Sequence, residues 1–465
     1  MVSRPSVDVH SARIDREQLP LFSPPMTHGS SSHGIPQQQQ MPSIQERLAV
    51  LLKSDLNFHG ENSSYASHDV HAFAAKFPPQ LPRTFIHGLT APGALVLDPM
   101  MGSGTTVVEA LLAGRCGIGL DIDPLALRLT QVKTRPLHID GLREIGCQVV
   151  AQAQTLLVND SLDEKRLQAF DEHTKSFIDY WFRPQTQREL CALTWSIQQV
   201  KDSLIRRFLE LTFSSIIITK SGGVSLARDL AHSRPHLDPS KEPKNAIEQF
   251  AIRLQRTIKS IAHIETHDRA AVQLAADARS MPLLSDSIDL IVTSPPYANA
   301  IDYMRAHKFS LVWFHESVKT LSQLRAQYIG SERTMGANAI PLPKDVEGII
   351  RQLAQCDTSK AAILRKYLVE MHAVMAEMYR VLRTDCAAIV IVGPSIMRGI
   401  DVQTHHCLAE IAHAIGFSVV GVVQRLLDRN KRMMPARFGM KTNSMIEQRM
   451  HEEYVIGLLK PPARS

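Results

Sequence analysis

The chain has 465 residues, 44% hydrophobic and 21% charged, with a net charge of +6 and a pI of about 9.0. That is ordinary globular composition with room for two or three domains; it excludes a fibrous or wholly disordered chain. The mild basic excess is compatible with a polyanionic partner but does not identify one.

Six scattered cysteines (Cys116, Cys147, Cys191, Cys356, Cys386, Cys407) form no Cys-x-x-Cys pair. This argues against a disulfide framework and against a zinc site, so no metal is expected. No apolar run reaches the roughly 18 residues of a membrane span. The N-terminus has no apolar signal core, so a cytoplasmic protein without a membrane partner is expected.

Residues 1–44 carry Ser30-Ser31-Ser32 and Gln37-Gln38-Gln39-Gln40 between prolines and read as a disordered tail. A helix is expected from near Ser43, with Ile44, Leu48, Val50, Leu51 and Leu52 on its apolar side. The stretch Lys76-Phe77-Pro78-Pro79 stiffens the approach to a short helix ending near Gly88. Lys76 could offer a cation to a carboxylate ligand; a solvated lysine is the plainer alternative.

Then comes Ala94-Leu95-Val96-Leu97-Asp98-Pro99-Met100-Met101-Gly102-Ser103-Gly104-Thr105-Thr106. An apolar strand ends in an acid, a glycine-rich turn follows, and a helix capped by Thr105 or Thr106 runs to Gly114. A second strand, Gly117–Asp121, ends in another acid. This is a β-α-β unit with the geometry of a nucleotide-binding half. Asp121 lies about 20 residues beyond the first glycine, where a carboxylate can take both ribose hydroxyls. Val107 stands where a dinucleotide fingerprint has its third glycine, and a structural β-α turn is the alternative.

Residues 135–270 interrupt the alternation with five helical patterns: 142–157, 163–181, 187–201, 205–220 and 246–263. Among them, Ser221–His236 is a glycine-led basic loop whose Arg228 and Arg234 could meet a phosphate backbone or serve only as a solvated connector. The rhythm resumes with a strand at 272–278 that includes Asp277. A helix is expected at 306–321, an irregular stretch at 322–360, and a long helix at 360–382. A strand at 387–393 and a helix at 405–415 follow, then closing strands at 417–427 and 453–459. Between these last two, Arg425, Arg429, Lys431, Arg432, Arg437 and Lys441 read as a basic loop.

The stretch with the most chemistry is Ser287–Tyr303. Ile288, Leu290, Ile291 and Val292 read as a buried strand that stops at Ser294-Pro295-Pro296-Tyr297. Two prolines cannot continue a sheet ladder and fix the backbone around them. The result is a rigid corner at a strand's C-terminal end, the ligand edge of open α/β sheets. A hydroxyl, unused carbonyls and an aromatic face suit a planar group with an exocyclic amine. A strand that merely ends in a proline turn is the alternative.

Together, Asp98-Pro99-Met100-Met101-Gly102-Ser103-Gly104-Thr105-Thr106 and Thr293-Ser294-Pro295-Pro296-Tyr297 resemble the S-adenosylmethionine-dependent DNA amino-methyltransferases. The likeness is to the N4-cytosine branch with its Ser-Pro-Pro-Tyr motif; the N6-adenine branch usually has Asp or Asn where Ser294 stands. Lys76-Phe77-Pro78-Pro79, Leu89-Thr90-Ala91-Pro92-Gly93 and Asp302-Tyr303-Met304-Arg305 fit as well. The resemblance covers roughly residues 65–134 and 270–460.

It implies an α/β fold: a doubly wound, seven-stranded, Rossmann-like methyltransferase sheet with a helical insertion. The parts would be a 1–44 tail, a 45–134 cofactor part, a 135–270 insertion with a target-recognition role, and a 271–465 catalytic part. It further implies S-adenosyl-L-methionine as cofactor, double-stranded DNA as partner, and a cognate restriction endonuclease as an open question.

By resemblance, Asp98, Pro99, Gly102, Gly104 and Thr105 would line the methionine end. Asp121 would bind the ribose, Asp277 with the backbone at Ala278 the adenine, and Lys76 and Phe77 would close over the cofactor. Ser294 and the Pro295 carbonyl would accept from the cytosine amine beside Pro296, with Tyr297 stacked on the ring. Recognition of DNA falls to the insertion, with Arg228 and Arg234, or to 322–360 and the basic loop with Arg429, Lys431 and Arg432. N6-adenine methylation and methylation of an RNA amine stay open as alternatives.

Overall fold

The computed structural model describes residues 42–73, 76–158, 170–219, 223–228, 235–262, 270–298, 303–331, 340–427 and 451–462. Seven strands make one sheet: β1 (Leu95–Asp98), β2 (Cys116–Asp121), β3 (Ala271–Ala275), β4 (Ile288–Thr293), β5 (Leu382–Val392), β6 (Ser418–Leu426) and β7 (Glu452–Leu459). Their order is β3-β2-β1-β4-β5-β7-β6. The first five are parallel, with Leu97 opposite Ile118 on one side and Ile291 on the other. Strand β7 runs antiparallel to both β5 and β6.

Strand succession goes one way from β1 to β2 and β3, and the other way from β4 to β5. The reversal leaves a crevice between the C-terminal ends of β1 and β4, where doubly wound sheets bind ligands. The Asp98 turn and the Ser-Pro-Pro-Tyr corner both open there.

Alternation along the strands builds two cores. Val96, Leu290, Val292, Ile389, Ile391 and Val455 face helices α1 (Ile44–Leu52) and α2 (Gln80–Leu89), with Leu48, Phe85 and Ile86 packed among them. Leu97, Ile118, Ile291, Val390 and Ile456 face the other way. Burial of both faces is what makes the parallel strands near-continuous apolar runs. Helix α3 (Thr105–Leu112) follows β1, and α4 (Pro124–Thr134) follows β2, capped by the Asp123 side chain.

A third core holds α5 (Ile139–Val158), α6 (Glu172–Trp181), α7 (Pro184–Gln198), α8 (Ser203–Ile217) and α9 (Ala246–Ile261) together. Leu125 and Leu129 of α4 and Phe309 of α10 (Tyr303–Leu311) belong to it as well. The inserted helices are thus packed onto elements that flank the crevice. Helices α11 (Val318–Gln327), α12 (Lys344–Cys356), α13 (Thr358–Val381) and α14 (Thr404–Ile415) complete the described chain.

Four expectations from periodicity are corrected. Helix α3 has Gly104 at its cap, with φ +74° and no side-chain bond to the helix. The chain enters from a left-handed glycine turn, so the threonine hydroxyls already lie inside the helix. The helix expected at 306–321 breaks into a 3-10 turn at Val312–Phe314 and a left-handed His315, which sends Val312 and Trp313 into the insertion core before α11 begins.

The stretch 322–360 is largely helical. Pro343 precedes α12, Gly348 sits on an open face, and Val346, Ile350 and Leu353 carry the apolar side that glycine and proline content obscured. Arg425 belongs to β6 and is buried, not part of a loop. Arg429, Lys431, Arg432, Arg437 and Lys441, together with Arg234, lie outside the described residues, as does Asp302. No described helix is long and apolar enough to cross a membrane.

Candidate active site

The site starts from Asp98, the last residue of β1 and almost wholly buried. Its Oδ1 accepts from the Thr293 hydroxyl at 2.7 Å and from the Met100 amide at 3.2 Å. Thr293 ends β4, so this bond ties the ends of the two strands that border the crevice. One turn further, the Thr106 hydroxyl donates to the Val292 carbonyl at 3.0 Å. The glycine turn and the proline corner are therefore fastened to each other at two points.

The turn itself needs a residue without a side chain. Gly104 has φ +74°, and a Cβ built there would lie 2.4 Å from Thr130 Oγ1 on α4. The Gly102 amide donates to Asp121 Oδ2 at 2.9 Å, while Asp121 Oδ1 takes the Asp123 amide at 2.8 Å. Asp121 thus holds the turn and still keeps lone pairs for a donor ligand. Behind the turn, the buried Lys133 ammonium donates to the Ser103 carbonyl at 2.7 Å, and burial drives its pKa well down.

Burial sets the electrostatics. It pushes Asp98 up to about 6. Asp121 is pushed up to about 7, first by burial and then by the neighbouring Asp123. For Asp123, burial acts upward too, but the His307 imidazole at 2.6 Å and the Leu125 amide hold it below the usual value. A crevice in which burial raises two carboxyls favours hydroxyl, amine or cationic donors, because each gained donor stabilises the charged form.

The segment before α2 reaches the turn through Phe73. Its ring stacks on Tyr303 at 5.7 Å and lies 5.0 Å from His307. It also stands 3.2 Å from where a Gly102 Cβ would be. Phe77 instead lies in the core beside Leu81 and Phe85. Lys76 is partly buried, pulled down to about 8 by desolvation, and donates to the His68 and His71 carbonyls at 3.0 and 2.6 Å. Its work in this state is to brace that segment.

Beyond β4 the corner stands where the sequence puts it, with Pro295 buried and Ser294, Pro296 and Tyr297 partly exposed. Burial pushes the Tyr297 phenol well above its usual value. The phenol donates to Glu453 Oε1 at 2.9 Å. The ring lies over Gly393, 2.6 Å from where a Cβ would project.

Asp277 sits past the end of β3, with both oxygens in the fork of Arg279 at 2.6–3.1 Å and next to the buried Ala278. Any amine reaching Asp277 shares it with that guanidinium. Arg228 is exposed and paired with Asp238 at 2.7 Å.

Phe73, Asp123, His307 and Glu453 are crevice residues that the sequence reading missed, while Tyr303 was named there without a role. Asp123 had a local signal: an acid and a proline directly after Asp121 mark a helix start. The others meet the site only through tertiary packing.

Two outcomes follow from this geometry. Gly104→Ala should cost about 1–3 kcal/mol from positive φ and the contact with Thr130. Adding Thr130→Ala should return only part of it in urea denaturation, since the dihedral strain remains; full recovery would assign the whole cost to the clash.

Asp98 and Asp121 are raised from the usual 3.8, so the folded state keeps protons that the unfolded chain has lost. Their contribution to stability is full below about pH 4 and fades as pH climbs through 6 to 7. Asp121→Asn should therefore flatten the fall of melting temperature between pH 5 and 8, and an unchanged slope would contradict the assignment.

Comparison with known proteins agrees with this geometry. Residues 38–132 match the model of the N6/N4 methyltransferase family, described as DNA methylase. The Type II methyltransferase M.MvaI of Kocuria varians is 22% identical over 77% of this chain and 83% of its own length. M.AvaI of Nostoc sp. is 23% identical over 70% of this chain and 73% of its own. M.MjaII of Methanocaldococcus jannaschii is 28% identical over 31% of this chain and 28% of its own. A solved rRNA methyltransferase of Streptomyces viridochromogenes, 12% identical, covers 90% of this chain and 92% of its own at a TM-score of 0.26, so the fold rests on the strand order instead. With the family match spanning the β1 turn and β2, and the Ser-Pro-Pro-Tyr corner set beside that turn, the chain is similar to the amino-methyltransferases of the N4/N6 family.

Proposed function

We propose that this enzyme methylates the exocyclic N4 amine of a cytosine turned out of duplex DNA, at a specific sequence, as the modification half of a restriction-modification pair. One observation carries the reading: the Asp98–Thr293 bond sets the glycine turn and the Ser-Pro-Pro-Tyr corner side by side in one crevice. The relatives' names, all Type II methyltransferases, support DNA as the substrate and a cognate endonuclease as partner.

The residues present fit the family's cofactor. Carboxylates accept and do not donate, so Asp121 and Asp98 match ribose hydroxyls and an ammonium. Asp121 is assigned the ribose. Asp98, Pro99, Gly102, Gly104 and Thr105 are assigned the methionine end, and Asp277 with Ala278 the adenine. Phe73 takes the covering role expected of Phe77, because its ring lies against Gly102 and Tyr303. S-adenosylmethionine supplies the electrophilic methyl group when bound.

The chain's own contribution is positioning. An exocyclic amine shares its lone pair with the ring and is a poor nucleophile. The Ser294 oxygen and the Pro295 carbonyl accept its two N–H groups, which favours a pyramidal nitrogen with its lone pair free. Tyr297 offers a face for the base. Preorganised acceptors and correct placement then supply most of the rate, and no cysteine nucleophile is needed. The target atom is out of reach inside a duplex, so the base has to leave the stack.

Nucleoside mass spectrometry on DNA from cells expressing the wild type and the Ser294→Ala, Tyr297→Ala pair tests the reading. N4-methylcytosine with the wild type alone is expected. N6-methyladenine would replace the substrate and keep the corner, whereas methylation confined to RNA would remove the DNA assignment. Tyr297→Ala by itself should lower transfer at least tenfold and leave cofactor affinity within about twofold, the pattern of a lost transition-state contact.

A further inference from the structure

Asp277 follows β3 along the same sheet edge where Asp121 ends β2. Ala275 stands opposite Asp121, and the Ala276 amide donates to the Asp121 carbonyl at 3.3 Å. The acid assigned to the adenine and the acid assigned to the ribose are thus neighbours through the backbone.

Arg279 grips the Asp277 carboxylate from one side. Its amide and its Nε both reach Oδ1 at 2.9 Å. Nε also lies 3.1 Å from Oδ2, and Nη2 reaches Oδ2 at 2.6 Å. An ionised carboxylate offers about four lone-pair sites. The hydrogens on N, Nε and Nη2 of Arg279 face those sites and leave room for about one further donor. The Asp277 side chain is 38% exposed, so that donor can arrive from outside.

The guanidinium is itself fixed at its far end. Nη1 donates to Glu370 Oε1 of α13 at 2.9 Å, and Nη2 donates at 2.9 Å to the carbonyl of Gln327, the last residue of α11. Glu370 is 12% exposed and also takes the Gly330 amide at 2.9 Å and the Lys366 ammonium at 3.1 Å. A carboxylate on a partly exposed turn would otherwise rotate. Here two helices hold its plane through one side chain, a task for a planar fork and not for a point charge.

We propose that Arg279 is a positioning residue for the cofactor's adenine: it fixes Asp277 with one acceptor direction free, so that binding depends on the 6-amino group of the purine. The inference deepens the function proposed above and rests on its assignment of Asp277. The amine meets an acceptor that is already oriented, and no side-chain freedom has to be lost at that point when the cofactor binds. A purine without the amine gains nothing from the arrangement.

Titration calorimetry on the full chain with two probes tests this. One is S-adenosylhomocysteine; the other is the same molecule with hydrogen in place of the 6-amino group. The wild type should bind the first about tenfold more tightly, the scale of a hydrogen bond to a charged group, and Asp277→Ala should bind the two alike. Arg279→Lys keeps the charge and loses the fork. Its preference should fall below about threefold through weaker binding of the amine probe alone, with the Kd of the deamino probe unmoved. Glu370→Gln leaves the Asp277–Arg279 contacts in place and loosens the far anchor. Its preference should lie between those of the wild type and Arg279→Lys, and it carries the test if Arg279→Lys does not fold.

A general structural fault would weaken both probes together and leave their ratio unchanged. That result in either folded variant overturns the proposal, as does a preference that survives Asp277→Ala. A wild type that binds both probes equally overturns this inference and leaves the methyltransferase reading standing. A wild type that binds neither overturns that reading, and this inference with it.

Discussion

A buried hydrogen bond from the Thr293 hydroxyl to the Asp98 carboxylate, with the Thr106 hydroxyl bonded to the Val292 carbonyl beside it, joins the two halves of this enzyme's site. Asp98 takes the Met100 amide as well. Asp98 is almost wholly buried at the end of β1, where an unpaired carboxylate would be costly, and Thr293 is buried at the end of β4. The strands are neighbours in the sheet but distant in sequence. Their pairing puts the glycine turn against the Ser-Pro-Pro-Tyr corner, and the reversal of strand order opens the crevice between them.

Around that bond the site is built from buried polar groups that are nearly all paired. Asp121 holds two backbone amides, Asp123 holds His307 and the start of α4, and Lys133 props the turn from behind. Burial raises two carboxyls above their usual range, so a ligand donor that reaches them favours their charged form. On the far side, a charge pair between β6 and β7 reaches the corner through Tyr297. The acidic wall borders one side of the crevice and the Tyr297–Glu453 pair the other.

Much of this was legible in the chain. Apolar runs of β1 and β4, each ended by an acid or a proline pair, marked the two strands, because a buried parallel strand must be apolar on both faces. Gly102 and Gly104 marked the turn because only glycine fits its dihedrals beside Thr130. What stayed hidden depends on tertiary contact. Phe77 was expected at the cofactor and lies in the core, while Phe73 lies against the turn. Arg425 looked like one more base in a basic loop and is instead a buried strand residue paired with Glu453. Helix α12 was masked by the glycine and prolines around it, and its Gly348 is harmless because it faces open space.

The account's central claim is that turn and corner act as one site through Asp98 and Thr293, and Thr293→Val tests it most directly. The change keeps the shape and removes one hydroxyl, so Asp98 loses a donor in a buried place. Cofactor titration calorimetry and single-turnover methyl transfer, measured on the same preparation, should both weaken, each by about tenfold, as expected for a lost bond to a charged group. Loss in one with the other untouched would mean that the two halves work independently, and the account would be wrong.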